Sequence, residues 1–270
     1  MQKKAKMRRN LIKNSKFSLI FTIFFIILFF LLVINVSDIF SSLITNKNSI
    51  FFTQKLEVPS FSIYAVSIND FDNSYQAGEY AKAVKEKGGA GFVYQSGEHF
   101  VFVSSYPSLS EAKEIKQNLL DLGYKSRIVN LKVDAILTTY KGNNLQHFLS
   151  SVNFFRKAYN TLQIQTISFD KKEASQSQVN SCLAKLLDEN INLLNTMQSL
   201  SQNQDLPLKQ EISVPLKEVK TLLESLLCFA GEDIEYTSKL KQTCLEIVLK
   251  NKDLALKINN LWFSFFYKKN

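Results

Sequence analysis

Between residues 61 and 133, the spacing of apolar side chains alternates between the period of a strand and the period of a helix. Short runs of β-branched and aromatic residues predict strands, and stripes with 3,4 spacing predict helices. The glycine-rich stretch 88–91, the Ser96-Gly97 pair and Gly123 separate these elements. The predicted elements are, in order, a strand at 61–68, a helix at 72–87, strands at 91–95 and 99–104, a helix at 108–122 and a strand at 124–131. This βαββαβ order predicts a four-stranded antiparallel sheet with both helices on one face.

From residue 145 onward, four segments repeat apolar side chains in a 3,4 alternation, which is typical of the seams of a left-handed helical bundle. The predicted helices are 145–168, 174–203, 214–230 and 232–267. Pro215 suits the first turn of the third helix. Asn190 and Asn251 each interrupt a seam. Such a residue either lies buried and fixes the register of the helices or lies in water at an edge of the bundle, and the sequence leaves both alternatives open.

Residues 17–34 are uncharged and almost wholly apolar, and the run is just long enough to cross the hydrocarbon of a bilayer. Seven Lys or Arg side chains and no acidic one precede it within residues 1–16. A cleaved signal peptide is the alternative, but no A-x-A-like site follows the run. We therefore expect a single-pass protein of the cell membrane. The positive-inside rule places its N-terminus in the cytoplasm and its C-terminal domains outside.

These patterns together predict an α+β fold class with an added transmembrane helix. The predicted parts are a basic cytoplasmic tail at 1–16, an N-terminal transmembrane helix at 17–36, a juxtamembrane linker at 37–60, the βαββαβ sheet domain at 61–133 and a C-terminal antiparallel helical bundle at 145–270. The formal net charge of +9 lies mostly in the tail, because residues 17–270 carry 26 basic and 24 acidic side chains. This nearly neutral remainder argues against nucleic acid as a partner.

The sheet region resembles the SPOR (sporulation-related repeat) domain family. The resemblance lies in two similar halves, VSINDF followed by AKAVKEKGG, and VFVSSYPSLSEAKEIKQNLLDLGY. Ser67 stands where the family often has Gln, and Phe100 and Phe102 stand where it often has Tyr or Arg. The resemblance implies a domain that binds glycan strands of septal peptidoglycan during cell division or sporulation.

Strand alternation places several aromatic side chains on the sheet face that the two helices leave open. The candidate ligand-binding residues on this face are Ser67, Phe92, Tyr94, Phe100, Phe102 and Arg127. An exposed patch of this kind usually marks an interface, and sugar rings stack on aromatic faces. The alternative is that another part of the chain covers the patch. The sequence leaves both open.

The sequence contains no catalytic motif, and we expect a protein that is not an enzyme and uses no cofactor or metal. His99 and His147 have no neighbouring ligands at metal-binding spacing. The three cysteines, Cys182, Cys228 and Cys244, leave at least one thiol free, and no pairing follows from their positions. Two function classes remain open. The first is a membrane protein that binds peptidoglycan, and the second is a scaffold whose bundle covers the sheet and recruits a protein partner or a second copy.

Overall fold

The computed structural model of the chain describes residues 53–141, 144–200 and 206–267. The strands in these ranges are β1 (Thr53–Val58), β2 (Phe61–Phe71), β3 (Phe92–Ser96), β4 (Glu98–Tyr106), β5 (Ser126–Val133) and β6 (Ile136–Lys141). The helices are α1 (Ser74–Glu86), α2 (Leu109–Asp121), α3 (Leu145–Asp170), α4 (Gln176–Ser199), α5 (Leu206–Leu227) and α6 (Asp233–Tyr267). The predicted cytoplasmic tail and the predicted transmembrane helix at 17–36 lie outside the described residues.

Local sequence signals begin the two helices that lie beside the sheet and turn the chain after them. The side chain of Asn73 accepts the N–H of Gln76 at 2.9 Å and caps α1, and Ser108 accepts the N–H of Glu111 at 3.2 Å and caps α2. After α1, the chain turns at Gly91, which has a φ of +51°. A Cβ added there would collide with the carbonyl oxygen of Ala81, so the turn requires glycine.

Four of the strands form one antiparallel sheet in the order β3-β4-β2-β5. Helices α1 and α2 pack on one face of this sheet. Their contact buries a small apolar cluster that includes Ile68, Ala81 and Val101. Because side chains alternate along each strand, the other face of the sheet carries a second set of apolar side chains, and a second packing layer must bury them.

Strands β1 and β6 pair in a separate two-stranded sheet that the sequence analysis missed. β1 lies within the predicted linker at 37–60, and its sequence TQKLEV mixes charged and apolar residues. Helix α3 packs against β1, and helix α6 packs against β6. Leu56 and Ile136 are buried there, so packing of distant segments rather than local pattern forms this ribbon.

The four long helices form a bundle in which each helix contacts the next and α6 returns to α3. α3, α4 and α6 begin within two residues of their predicted starts. α5 begins at Leu206 instead of residue 214, and Pro215 lies inside it. A proline inside a helix lacks the N–H that would bond to the carbonyl four residues earlier. Pro215 therefore led to a predicted helix start that lies about two turns too late, because the helix begins beside Pro207.

The predicted fold class is wrong as stated. It joined a transmembrane helix, a sheet domain and a helical bundle as successive parts, whereas residues 53–267 belong to one α+β unit. One continuous core in this unit runs from Ile63 and Phe102 in the sheet to Leu162 and Ile247 in the bundle. No helix in the described ranges is both long enough and apolar enough to cross a bilayer. The sheet has two apolar faces, and covering both of them merges sheet and bundle into one body.

Candidate functional site on the sheet face

Four strands bring the six candidate ligand-binding residues together on the sheet face opposite α1 and α2. Phe92 of β3 pairs with Phe102 of β4, Phe102 pairs with Ser67 of β2, and Ser67 pairs with Arg127 of β5. These residues form a row across the sheet. Tyr94 and Phe100 form a second pair next to this row. The alternation of the strands therefore predicts correctly that these side chains are neighbours.

The face that these residues form is covered rather than open. Ser67 and Phe102 have no exposed surface, and Phe100 is 5% exposed. Phe92 and Tyr94 are half-buried and pack against the same core. The prediction of an open ligand-binding face is therefore wrong for Ser67, Phe100 and Phe102, because side chains without accessible surface cannot contact a glycan.

Helices of the bundle provide the cover. α6 packs against both β4 and β5, and the side-chain amide of Asn259 donates to the carbonyl of Ala135 at 2.9 Å. Buried aromatic side chains of α3, including Phe155 and Tyr159, belong to the same core as Phe102. Of the two alternatives that the sequence left open for this face, the structure shows the covered one.

Arg127 lies at the end of the row and keeps part of its surface. Its guanidinium carbon lies 3.6 Å from the centre of the Phe100 ring. The same guanidinium forms ion pairs with Asp70 at 3.2 Å and with Glu98 at 2.9 Å. The Ser67 hydroxyl donates to the Arg127 carbonyl at 3.5 Å. A ligand could use the Arg127 guanidinium only by displacing these partners.

Polar side chains that the sequence placed in the bundle seams are also buried. Asn251 is 4% exposed, and Asn190 has no exposed surface at all. Neither the side-chain oxygen nor the side-chain nitrogen of Asn190 has a hydrogen-bond partner among the described residues. The alternative in which both residues lie in water at a bundle edge is therefore wrong.

The titratable groups in the core are held in their neutral forms by burial. Burial raises the pKa of the Cys244 thiol to about 12, and the Thr166 hydroxyl lies 3.9 Å from its sulfur. Burial also raises the pKa of Tyr236 to about 12, and its hydroxyl donates to Asn180 at 2.7 Å. A thiol with a raised pKa is a poor nucleophile at neutral pH, so Cys244 has the chemistry of a core residue.

Two open clefts lie beside the C-terminal end of α1, away from the six candidate residues. A cleft of about 480 Å³ lies between Lys85 of α1 and Lys239 of α6, and one of about 670 Å³ includes Lys241. Two of the lysines that line these clefts bond within the protein. Lys239 donates to the carbonyl of Ser225 at 3.1 Å, and Lys241 donates to Gly88 at 3.0 Å. These contacts join helices and turns of the fold.

Within the described residues, no group of three or more His, Cys, Asp or Glu side chains is arranged to hold a metal ion. All three cysteines are free thiols. Comparison with known proteins found no matching family model, no similar curated protein and no similar solved structure.

Proposed function

We propose that the described part of the chain is a non-catalytic interaction module whose helical bundle covers the aromatic face of the sheet and recruits a protein partner. The observation that carries this proposal is the burial of Ser67, Phe100 and Phe102 under the bundle. Side chains of the sheet and of the bundle form one core, so this face stabilises the fold instead of meeting a ligand.

The outer surface of the bundle is what remains available to a partner. Ile164 of α3 and Val214 of α5 expose 61% and 51% of their surfaces. Isolated exposed apolar residues are common on protein surfaces, so they serve here as probe positions rather than as evidence of a defined interface.

Binding of septal peptidoglycan by a SPOR-like domain is the second candidate function. It is supported by the resemblance of residues 61–133 and by the partial exposure of Phe92 and Tyr94 on one edge strand and of Arg127 on the other. A glycan would have to bind with these three residues alone, since the central rings are covered. We rank this function second for that reason.

Two measurements on the full-length chain test the proposal. A photoreactive side chain at position 164 or 214 should crosslink in cells to a discrete protein partner, and the same probe at the exposed Leu122, which directly follows α2, is the matched control. The purified chain should not sediment with sacculi whose stem peptides an amidase has removed. Sedimentation with these sacculi that Tyr94→Ala abolishes would contradict the proposal and support glycan binding.

A further inference from the structure

The four-stranded sheet has two edges that differ in their chemistry. β5 forms one edge and carries Arg127 and Lys132, which form ion pairs with Asp70 and Asp134. Charged side chains on an edge strand oppose pairing with another strand, because pairing would remove them from water. β3 forms the other edge with the sequence FVYQS, which contains no charged residue and no proline.

β3 also lacks the irregularity that commonly protects an edge strand. Its residues pair one to one with β4 from Phe92 to Ser96, whereas β2 shows two register shifts against β4. A bulge would bend the strand and turn its free backbone groups away from a partner. The backbone of β3 is regular, so the N–H and C=O groups that point away from β4 are aligned to hydrogen-bond with another strand.

Packing on both sides holds β3 in this extended conformation. Phe92 and Tyr94 pack against the core shared with the bundle, and the Tyr94 ring stacks on Phe102 with ring centres 5.3 Å apart. Val93 packs on the opposite side against the cluster beneath α1. The strand is therefore ordered before any partner arrives, which lowers the entropic cost of pairing.

We propose that β3 pairs with β3 of a second copy of this chain. A two-fold axis between the copies would place their β3 strands side by side in antiparallel orientation. The two sheets would then form one sheet with the order β5-β2-β4-β3-β3-β4-β2-β5. No charged side chain of β3 meets another, because the strand has none. The inference goes beyond the proposed function, because it concerns an edge of the sheet rather than the outer surface of the bundle.

The charge of the folded part favours a second copy as the occupant of this edge. Residues 53–267 carry equal numbers of acidic and basic side chains, 23 of each. The folded parts of two copies therefore do not repel each other through net charge, and nearly neutral protein surfaces associate readily. A single pair of five-residue strands forms a small interface. We therefore expect a weak dimer whose population rises with concentration.

The test uses the full-length chain over a concentration series. Analytical ultracentrifugation measures the mass, and hydrogen exchange measures the protection of the β3 amides in the same samples. The variant Gln95→Lys/Ser96→Lys places lysines at two exposed positions of β3, where they oppose edge pairing without emptying the core. Asn130→Lys, at an exposed position of the other edge strand, is the matched control.

In wild type and Asn130→Lys, we expect the mass to rise toward that of two chains while exchange of the β3 amides slows. Gln95→Lys/Ser96→Lys should keep the mass of one chain, rapid exchange in β3 and the wild-type melting temperature. A wild-type mass of one chain at every concentration would overturn the inference. So would a dimer in which β3 amides exchange as fast as in the dilute protein. Neither result affects the crosslinks expected from positions 164 and 214, so failure of this inference is distinguishable from failure of the proposed function.

Discussion

Asn190 is completely buried in the bundle, at a seam position where neighbouring turns of α4 carry Leu183, Leu186 and Leu194. Its amide has no hydrogen-bond partner among the described residues. An unpaired buried polar group costs about 1–3 kcal/mol. At the scale of single residues, the buried amide of Asn190 therefore lowers the free energy of unfolding.

Asn190→Leu should raise the free energy of unfolding by about 1–3 kcal/mol, because an apolar side chain of similar size needs no hydrogen bond there. Urea denaturation of the full-length chain measures the change. Asn195→Leu, at an exposed position of the same helix, is the control and should change stability by less than about 0.5 kcal/mol. If Asn190→Leu lowers the stability, the Asn190 amide has a partner in solution and the interpretation fails.

The Cys244 thiol should make stability depend on pH in alkaline solution. Its pKa is about 12 in the folded protein and 9.0 as the ordinary value. Above pH 9 the unfolded chain loses a proton that the folded thiol keeps, so the free energy of unfolding falls as pH rises, and below pH 9 this contribution is constant. The slope is at most about 1.4 kcal/mol per pH unit for one group.

Cys244→Ala should therefore show a weaker loss of stability than wild type as the pH is raised from 9 to 10, whatever its stability at pH 7. Urea denaturation at each pH measures the slope. Cys228→Ala is the matched variant, because it removes an exposed thiol instead of the buried one. Identical slopes for Cys244→Ala and wild type would show that the thiolate forms as easily in the folded protein as in the unfolded chain.

At the scale of elements, periodicity located the helices and most of the strands, since the spacing of apolar residues reflects which side of an element is buried. It missed β1 and β6, because only their pairing with each other and the packing of α3 and α6 bury them. It misplaced the start of α5, because Pro215 resembles a helix start locally although it lies within the helix. Strand alternation correctly grouped the six candidate residues on one face of the sheet. No local sequence pattern predicts which other part of the chain packs on that face.

One contact between elements gives a test of how α6 is held. The Lys241 ammonium group donates to the carbonyl of Gly88 at 3.0 Å and pairs with Asp170 at 2.8 Å, and its side chain is 16% exposed. It thus joins α6 to the turn after α1 and to the end of α3.

Lys241→Met keeps the apolar stem and removes the charge, so Gly88 and Asp170 lose their shared donor. We expect the free energy of unfolding to fall by about 1–3 kcal/mol. Lys257→Met removes a largely exposed lysine of α6 with a 3.6 Å ion pair to Glu211, and should cost less than about 1 kcal/mol. Equal effects of the two substitutions, measured by urea denaturation, would mean that Lys241 does not hold α6 in place.

At the scale of the whole molecule, the sheet and the bundle share one core, and this sharing decides what the sheet face can do. A βαββαβ sheet alone would leave Phe100 and Phe102 in water, where they could stack on a ligand. In this chain the bundle covers them, so the aromatic face that suggested glycan binding contributes to stability. This difference arises from packing between residues more than 50 positions apart, such as Phe102 and Tyr159, which no local sequence pattern records.

The free energy of unfolding of Phe102→Ala tests this account most directly. Phe102 has no exposed surface, so removing its ring from beneath the bundle should cost about 3–5 kcal/mol. Tyr75→Ala, which truncates an aromatic side chain that is 77% exposed, should change stability by less than about 0.5 kcal/mol. A loss for Phe102→Ala as small as that for Tyr75→Ala would mean that the sheet face is open in solution, which would contradict the claim that the bundle covers it.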